Sequence, residues 1–160
     1  MPAQERTHSV ARFGLVSRAT LLLWSAAVLA AVVASPLAAS AGRGEGWFLY
    51  EAFEAVCHQQ PERSWHLQGQ PLAVCVRCFG LYAGLLFAAL PGLRLPLKLV
   101  AAALALVGLS WAAESSGLVV ASEETRFASG LVLGLSLCAA VLETAAMPHA
   151  QSARRRAAGA

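Results

Sequence analysis

Three of the four cysteines and two of the four histidines of this 160-residue chain lie within one short stretch. The stretch begins with Cys57 and His58, continues through His66, and ends with Cys75 and Cys78. Thiolates and imidazoles are the donors of tetrahedral zinc sites, and thiolates are also the nucleophiles of disulfide exchange. This spacing indicates a site for metal or redox chemistry.

The metal interpretation starts from the CxxC pair formed by Cys75 and Cys78. Residues three apart on a helix share a face, so the two sulfurs can bind one ion. Cys57, together with His58 or His66, would complete a Cys3His shell. Zinc fits these donors best, with iron or copper less favoured. A protein ligand in fourth position would close the shell, whereas an open position would allow water activation or metal relay.

The same thiols allow a redox interpretation. A cysteine near a helix N-terminus has a lowered thiol pKa, and three cysteines cannot all pair within one chain. One thiol would then remain free to attack, as a thiol–disulfide oxidoreductase requires. A structural disulfide or inert buried cysteines are the simpler alternatives, and packing is the role expected for Cys138. No carboxylate is firmly placed as a general base, which weakens a hydrolase interpretation, and the sequence leaves open whether the protein is an enzyme.

Several charged or polar residues are candidates for supporting this site. Arg77 lies in an apolar segment, where a charge is unfavourable unless it pairs or reaches the interface. Glu114 and Arg126 are expected at a similar depth, so the three can form a cluster that binds an anion or adjusts a thiol pKa. Simple ion pairing is the plainer alternative. Arg63 can contact the loop or a lipid phosphate, and Tyr82 shares the cysteine face.

The elements that must position these residues are membrane helices. Hydrophobic residues make up 58% of the chain and charged residues 13%, and neither Asp nor Asn occurs. The apolar runs approach the ~20 residues that a helix needs to cross a bilayer. We predict an all-α integral membrane bundle, one domain over residues 19–147. Its expected transmembrane helices span residues 19–41, 71–93, 96–113 and 127–147.

The connecting segments suggest the orientation of the bundle. An outer loop over residues 42–70 should have structure of its own, including a short helix over residues 47–57, and Pro71 should open the second membrane helix. A lead over residues 1–18 and a tail over residues 148–160 are basic. Because cytoplasmic segments are rich in Lys and Arg, we expect both termini in the cytoplasm and the Cys/His loop outside a cell membrane. The charges on the cytoplasmic side are Arg6, Arg12, Arg18, Arg94, Lys98, Arg154, Arg155 and Arg156.

The first helix also resembles a signal peptide, because Ala39-Ser40-Ala41 is similar to a cleavage site. Its apolar stretch is long for a signal peptide, which favours an uncleaved helix. The bilayer is the expected partner, and nothing indicates nucleic-acid binding. Small-residue spacings at Gly80/Gly84 and Gly130/Gly134 predict close helix packing, either within the bundle or against a second copy or a membrane partner. The latter would suit a non-catalytic subunit or assembly factor.

The motif from Cys57-His58-Gln59 through Pro61-x-Arg63-Ser64 to Cys75-x-Arg77-Cys78-x-Gly80-x-Tyr82-x-Gly84 resembles an uncharacterised family of small prokaryotic multi-pass membrane proteins, classed as a domain of unknown function. The likeness covers roughly residues 47–140. It implies a short multi-helix membrane architecture and carries no activity, substrate or cofactor. The chain departs from the family pattern at Phe79, where a small or hydroxylated residue is frequent.

Overall fold

The computed structural model describes the backbone of residues 3–91, 93 and 95–157, and the side-chain surroundings of residues 16–44, 46–91, 93 and 95–143. Most of the basic side chains used to predict the orientation therefore lie outside the described residues. These are Arg6, Arg12, Arg94, Arg154, Arg155 and Arg156.

The described chain is almost entirely helical, which confirms the predicted all-α bundle. A single 3-10 turn at Pro61–Arg63 and one small hairpin interrupt the helices. The helices are α1 (Ala3–Ser40), α2 (Gly44–Glu54), α3 (Val76–Ala89), α4 (Leu97–Ser115) and α5 (Glu123–Ala157), and the strands are β1 (His66–Leu67) and β2 (Gln70–Pro71).

Among the described residues, three helical segments are long and apolar enough to cross a membrane: Val16–Ser40, Leu97–Ser115 and Glu123–Glu143. Helix α3 is apolar but has only 14 residues. At about 1.5 Å per residue it extends about 21 Å, less than the about 30 Å of a hydrocarbon core. The second membrane helix, predicted over residues 71–93, is therefore shorter than expected at both ends.

A hairpin takes the place of the expected first turn of that helix. Pro71 lies in β2 and pairs with His66 of β1, so the prediction that it opens the helix was wrong. Gln68 and Gly69 form the two-residue turn, and both have positive φ values, 52° and 78°. Turns of this kind match the twist of the flanking strands, and glycine adopts the second position without strain. Helix α3 consequently begins only at Val76.

Helices α3 and α5 form the closest-packed pair of the bundle. A Cβ atom added at Gly80 would overlap the carbonyl oxygen of Phe127, and one at Gly130 would overlap that of Arg77. Gly84 and Gly134 meet in the same way one turn further along. The glycine faces proposed as surfaces for a partner are therefore occupied within the chain, and ordinary bundle packing accounts for them.

Polar contacts at the two ends of the bundle show that α1, α3, α4 and α5 alternate in direction. At the end with the cysteines, Glu114 near the end of α4 pairs with Arg77 and Arg126 near the starts of α3 and α5. At the other end, the Arg18 guanidinium of α1 donates hydrogen bonds to the carbonyl oxygens of Ala89 and Leu90 at 3.2 and 2.5 Å. A cation suits this position because the carboxyl end of a helix carries partial negative charge. The start of the apolar part of α1 and the end of α3 thus share one level, and the cysteines lie toward the opposite end.

The core between these ends includes residues of α1, α3 and α5. Val32 and Cys138 are fully buried in it, and Cys57 and Tyr82 join the same apolar cluster. Cys138 therefore occupies the kind of packing position expected from the sequence. The short loop helix α2, expected over residues 47–57, begins and ends three residues earlier, at Gly44–Glu54.

Candidate metal centre

The structure brings together Cys57, Cys75 and Cys78, whose sulfur atoms all lie within 4.8 Å of one another. All three are free thiols. Cys57 is 4% exposed, whereas Cys75 and Cys78 are half-buried. Three sulfurs at this spacing can surround a single metal ion with little rearrangement, since Zn–S bonds are about 2.3 Å long. The cluster can therefore hold a metal ion.

The beginning of α3 provides two of the three sulfurs. Cys75 is the N-cap residue, with extended backbone angles (φ −68°, ψ 160°), and Cys78 follows in the first turn. The backbone N–H of Cys75 donates a hydrogen bond to the sulfur of Cys57 at 3.2 Å. Hydrogen bonds with Cys57 and then with Cys78 lower the pKa of the Cys75 thiol far below its ordinary value. Cys75 is thus the thiol of the cluster that favours thiolate, the form that binds metals and attacks disulfides.

The third sulfur is placed by the loop that follows α2. The backbone N–H of Cys57 donates to the carbonyl oxygen of Phe53 at 3.0 Å, which ends the helical turn there. Gln59 has a φ of 50°, and its side-chain amide donates to the carbonyl oxygen of Tyr50 at 2.5 Å. The Tyr50 hydroxyl in turn donates to the carbonyl oxygen of Pro71. These bonds tie both sides of the loop together, so that Cys57 is held against the start of α3.

An aromatic group not anticipated from the sequence joins the hairpin to the helices. The ring of Trp65 lies 5.3 Å from that of Phe79 on α3 and 5.5 Å from that of Phe127 on α5, measured between centroids. The indole N–H donates to a carboxylate oxygen of Glu123 at 2.9 Å. Phe79, noted above as a departure from the family pattern, is therefore a packing residue between the hairpin and α5.

The two histidines expected as ligands are not part of the sulfur cluster. Within residues 16–44, 46–91, 93 and 95–143, no imidazole or carboxylate joins the three sulfurs at the spacing they share. His58 is exposed although its neighbour Cys57 is buried, and His66 is exposed on β1. Arg63 is likewise exposed, in the 3-10 turn.

The predicted charge cluster is present beside the site. The carboxylate of Glu114 on α4 lies 2.5 Å from a terminal nitrogen of Arg77 and 2.6 Å from one of Arg126. The Glu114 side chain is 7% exposed. Arg77 also donates to the Ser129 hydroxyl at 3.2 Å. The arginines of α3 and α5 are thus joined through α4, and Ser129 is a partner that the sequence reasoning missed.

Tyr82 lies one turn below Cys78 on the inner side of α3. It is 9% exposed and belongs to the same buried cluster as Cys57. Its ring makes an edge-to-face contact with Trp24 of α1, with centroids 5.8 Å apart. Contacts of this geometry stabilise aromatic pairs. Tyr82 therefore packs between α1 and the buried cluster that contains Cys57.

These features define a small helical membrane protein with a cluster of three thiols. The chain belongs to the family DUF2085, described as predicted membrane proteins, whose family model matches residues 57–140. The matched region contains all three clustered cysteines and the Arg77–Glu114–Arg126 group. The family expected from the sequence motifs is thereby confirmed.

Two archaeal proteins are similar to the chain, and both are described as uncharacterised. One, from Methanocaldococcus jannaschii, is 32% identical over 98 residues, which cover 56% of this chain and 63% of that protein. The other, from Methanothermobacter thermautotrophicus, is 30% identical over 92 residues, or 53% of this chain and 83% of that protein. The chain thus matches less than two thirds of the first relative's length. No solved structure matches the chain significantly.

Proposed function

We propose that the protein is an integral membrane protein that binds a zinc ion through Cys57, Cys75 and Cys78 at the extracytoplasmic face of a cell membrane. The observation that carries this proposal is the convergence of three free sulfurs within 4.8 Å of one another. Two come from one helical turn, and the third is held there by a hydrogen-bonded loop. Such a set of soft donors suits zinc, with iron less favoured.

The proposed orientation places both termini in the cytoplasm. Arg18 lies at the end of the bundle opposite the cysteines, where it meets the end of α3. Lys98 lies at the start of α4, on the same side of the alternating bundle as Arg18. Eight of the twelve Lys and Arg residues belong to the segments predicted on this side, and four to the side of the cysteines. Since basic residues favour the cytoplasmic side, we place this end in the cytoplasm and the thiol cluster outside.

Cysteine labelling of intact cells tests this orientation. Val120, between α4 and α5, is 92% exposed and should lie outside, whereas the exposed Lys98 should lie inside. Placed in the Cys138→Ala background, a Val120→Cys variant should react with a membrane-impermeant maleimide beyond the background of the native thiols. A Lys98→Cys variant should gain reactivity only after the cells are opened. The reverse pattern would overturn the orientation.

The packing supports a first helix that is retained in the mature protein. Ser25, Val32 and Ser35 of α1 are all fully buried. Cleavage after Ala41 would remove α1, which packs against α3 and α5, and would expose the core cluster to which Val32 belongs. The mass of the purified intact protein should therefore include residues 1–41, and a mass lacking them would contradict this part of the proposal.

Elemental mass spectrometry on the detergent-purified protein tests the metal site. We expect about one zinc per chain, the stoichiometry of a single tetrahedral thiolate site. Cys57→Ser, Cys75→Ser and Cys78→Ser variants should each lose most of it, because a ligand is removed. Cys138→Ala, which changes a buried thiol outside the cluster, is the matched control and should retain the metal. Wild-type protein without metal, or equal metal in all four variants, would refute the proposal.

A thiol–disulfide oxidoreductase is the second candidate, favoured by three free thiols whose sulfurs lie within 4.8 Å of one another, close enough to form a disulfide within the cluster. In this reaction the Cys75 thiolate attacks a partner's disulfide, forms a mixed disulfide and releases one partner thiolate. Attack by Cys57 or Cys78 on the mixed disulfide then releases the second partner thiol and leaves a disulfide in this protein. Reversible formation of that disulfide in metal-free protein, with a mixed disulfide trapped when the resolving cysteine is changed to Ser, would place this function first.

A further inference from the structure

The three-sulfur cluster supplies one donor fewer than tetrahedral zinc requires. Within residues 16–44, 46–91, 93 and 95–143, no histidine nitrogen or carboxylate oxygen completes the set. Structural zinc sites are closed by four protein ligands, whereas catalytic sites use three and leave a position for water or substrate. Because only three protein donors converge among the described residues, the cluster has the ligand number of a catalytic zinc site and not that of a closed structural one.

The local backbone explains why His58 lies outside the cluster. Cys57 points into the bundle and is 4% exposed, while the adjacent His58 is exposed. The positive φ of Gln59 then turns the chain, and Pro61 starts the 3-10 turn. An imidazole next to an inward-facing cysteine is thus directed away from the sulfurs.

His66 is kept away by the hairpin. In a strand, successive side chains point to opposite faces. Leu67 is the half-buried residue of β1 and packs against the core, so His66 takes the exposed face. Its pairing with Pro71 fixes the register, and a one-residue slip would be needed to turn the imidazole inward.

The cluster lies at a half-buried position and is electrostatically suited to a small ligand. Cys57 closes the inner side, while Cys75 and Cys78 retain exposed surface at the first turn of α3. Three thiolates around a divalent ion carry one net negative charge. The group of Arg77, Glu114 and Arg126 beside it carries one net positive charge. The helix N-terminus adds partial positive charge, so neither water nor a small anion is repelled.

We infer that a metal ion bound by Cys57, Cys75 and Cys78 keeps one coordination position for an exchangeable ligand from outside the chain, either water or a small anion. This inference rests on the metal site proposed above. It makes the centre an open site, where a bound molecule contacts the metal directly, and not a closed structural cross-link. The two exposed histidines take no part in metal binding.

Cobalt substitution of the full chain in detergent tests the inference, because the visible spectrum of Co²⁺ reports both thiolate coordination and a change of ligand. Azide is the probe. We expect a saturable shift of the cobalt bands in the wild-type protein and the same shift in His58→Ala and His66→Ala variants. Cobalt affinity should be the same in both variants as in wild type, and Cys138→Ala should also match.

Two results would overturn the inference while leaving the metal site in place. One is a thiolate–cobalt spectrum that azide does not change. The other is a histidine variant that weakens cobalt binding by more than the about 10–100-fold typical of residues that only support a ligand. Failure of the chain to bind cobalt through its thiols is a different outcome, since it would refute the proposed metal site itself and the inference with it.

Discussion

Helices α3 and α4 are both apolar, yet they have opposite environments. Eight of the 14 residues of α3 are buried, including Tyr82 and two glycines. In the 19 residues of α4 only Val100 and Val107 are buried. Large side chains such as Leu106, Leu109 and Trp111 are more than half exposed. The helix too short to span the bilayer is thus the centre of the bundle, and the longer one lies at its edge.

The two helices therefore show two roles of an apolar sequence, which are packing against protein and facing lipid. Helix α3 packs against protein on several sides and carries the sulfur cluster at its first turn. Helix α4 presents its leucines outward, as expected of a surface covered by lipid, and its ion pairs through Glu114 link it to α3 and α5. Hydrophobicity alone does not distinguish the two. Small residues and a buried charge mark where helices meet.

The largest effect should come from bulk added at the α3–α5 contact. Gly130→Leu forces a side chain into the backbone of Arg77, so the two helices would have to separate. We expect the free energy of unfolding to fall by more than about 5 kcal/mol, beyond the about 1–3 kcal/mol typical of side-chain overpacking. Gly108 of α4 has nothing within 4 Å of an added Cβ, so Gly108→Leu is the matched control and should be tolerated. Thermal unfolding in detergent measures both. Equal destabilisation by the two variants would contradict the difference in packing between the α3–α5 contact and the exposed face of α4.

Removal of the charge that links α4 to the bundle should have the next largest effect. Glu114→Gln leaves Arg77 and Arg126 without a counter-charge, and loss of one partner of a buried ion pair costs about 3–5 kcal/mol. Glu124→Gln changes an exposed carboxylate and should leave unfolding unchanged. Equilibrium unfolding of the two variants checks this, and unchanged stability of Glu114→Gln would show that α4 is held by its apolar contacts.

Metal removal should affect the α3 side of the molecule and spare α4. A ligand present at 100 times its Kd stabilises the folded state by about 2.7 kcal/mol, so chelation of a bound zinc should lower the Tm accordingly. Hydrogen exchange should increase around Cys57 and the first turn of α3, with α4 unchanged. In the Cys57→Ser variant the chelator should have no effect. A Tm shift of the same size in that variant would assign the effect to the chelator.

The smallest effect is expected at the aromatic contact above the site. Trp65→Phe keeps a ring against Phe79 but removes the hydrogen bond to Glu123, and we expect a loss of about 1 kcal/mol. Trp111→Phe, on the exposed face of α4, should change stability less. Denaturant unfolding of both variants distinguishes them. A larger loss at Trp111 would mean that this face of α4 has a protein neighbour.

The sequence predicted the helical membrane bundle because a high apolar content, in uncharged runs of about 20 residues, is what a helix needs to cross a bilayer. The convergence of Cys75 and Cys78 also followed from local geometry, since both lie at the start of one helix. The proximity of Cys57 was an expectation based only on its distance along the chain. Its actual position depends on hydrogen bonds of Tyr50 and Gln59, which no residue pattern indicates.

The errors came from segments where tertiary contacts decide between structures. Pro71 fits a first helical turn, but the Gln68-Gly69 turn and the pairing with His66 place it in a strand instead. The same hairpin determines that His66 faces outward. The glycine spacings correctly predicted a close helix contact, but they do not say whether the neighbour belongs to the same chain.

The position of Glu114 also has a consequence for biogenesis. Its two partners lie on opposite sides of it in the sequence, Arg77 37 residues earlier and Arg126 12 residues later. During synthesis, the thiol loop and α3 emerge first, and Arg77 then has no counter-charge until α4 follows. The second ion pair of Glu114, with Arg126, forms only after α5 begins to insert. The sulfur cluster is a local structure that can form early, whereas the charge cluster is completed last and joins the three helices at the end of insertion.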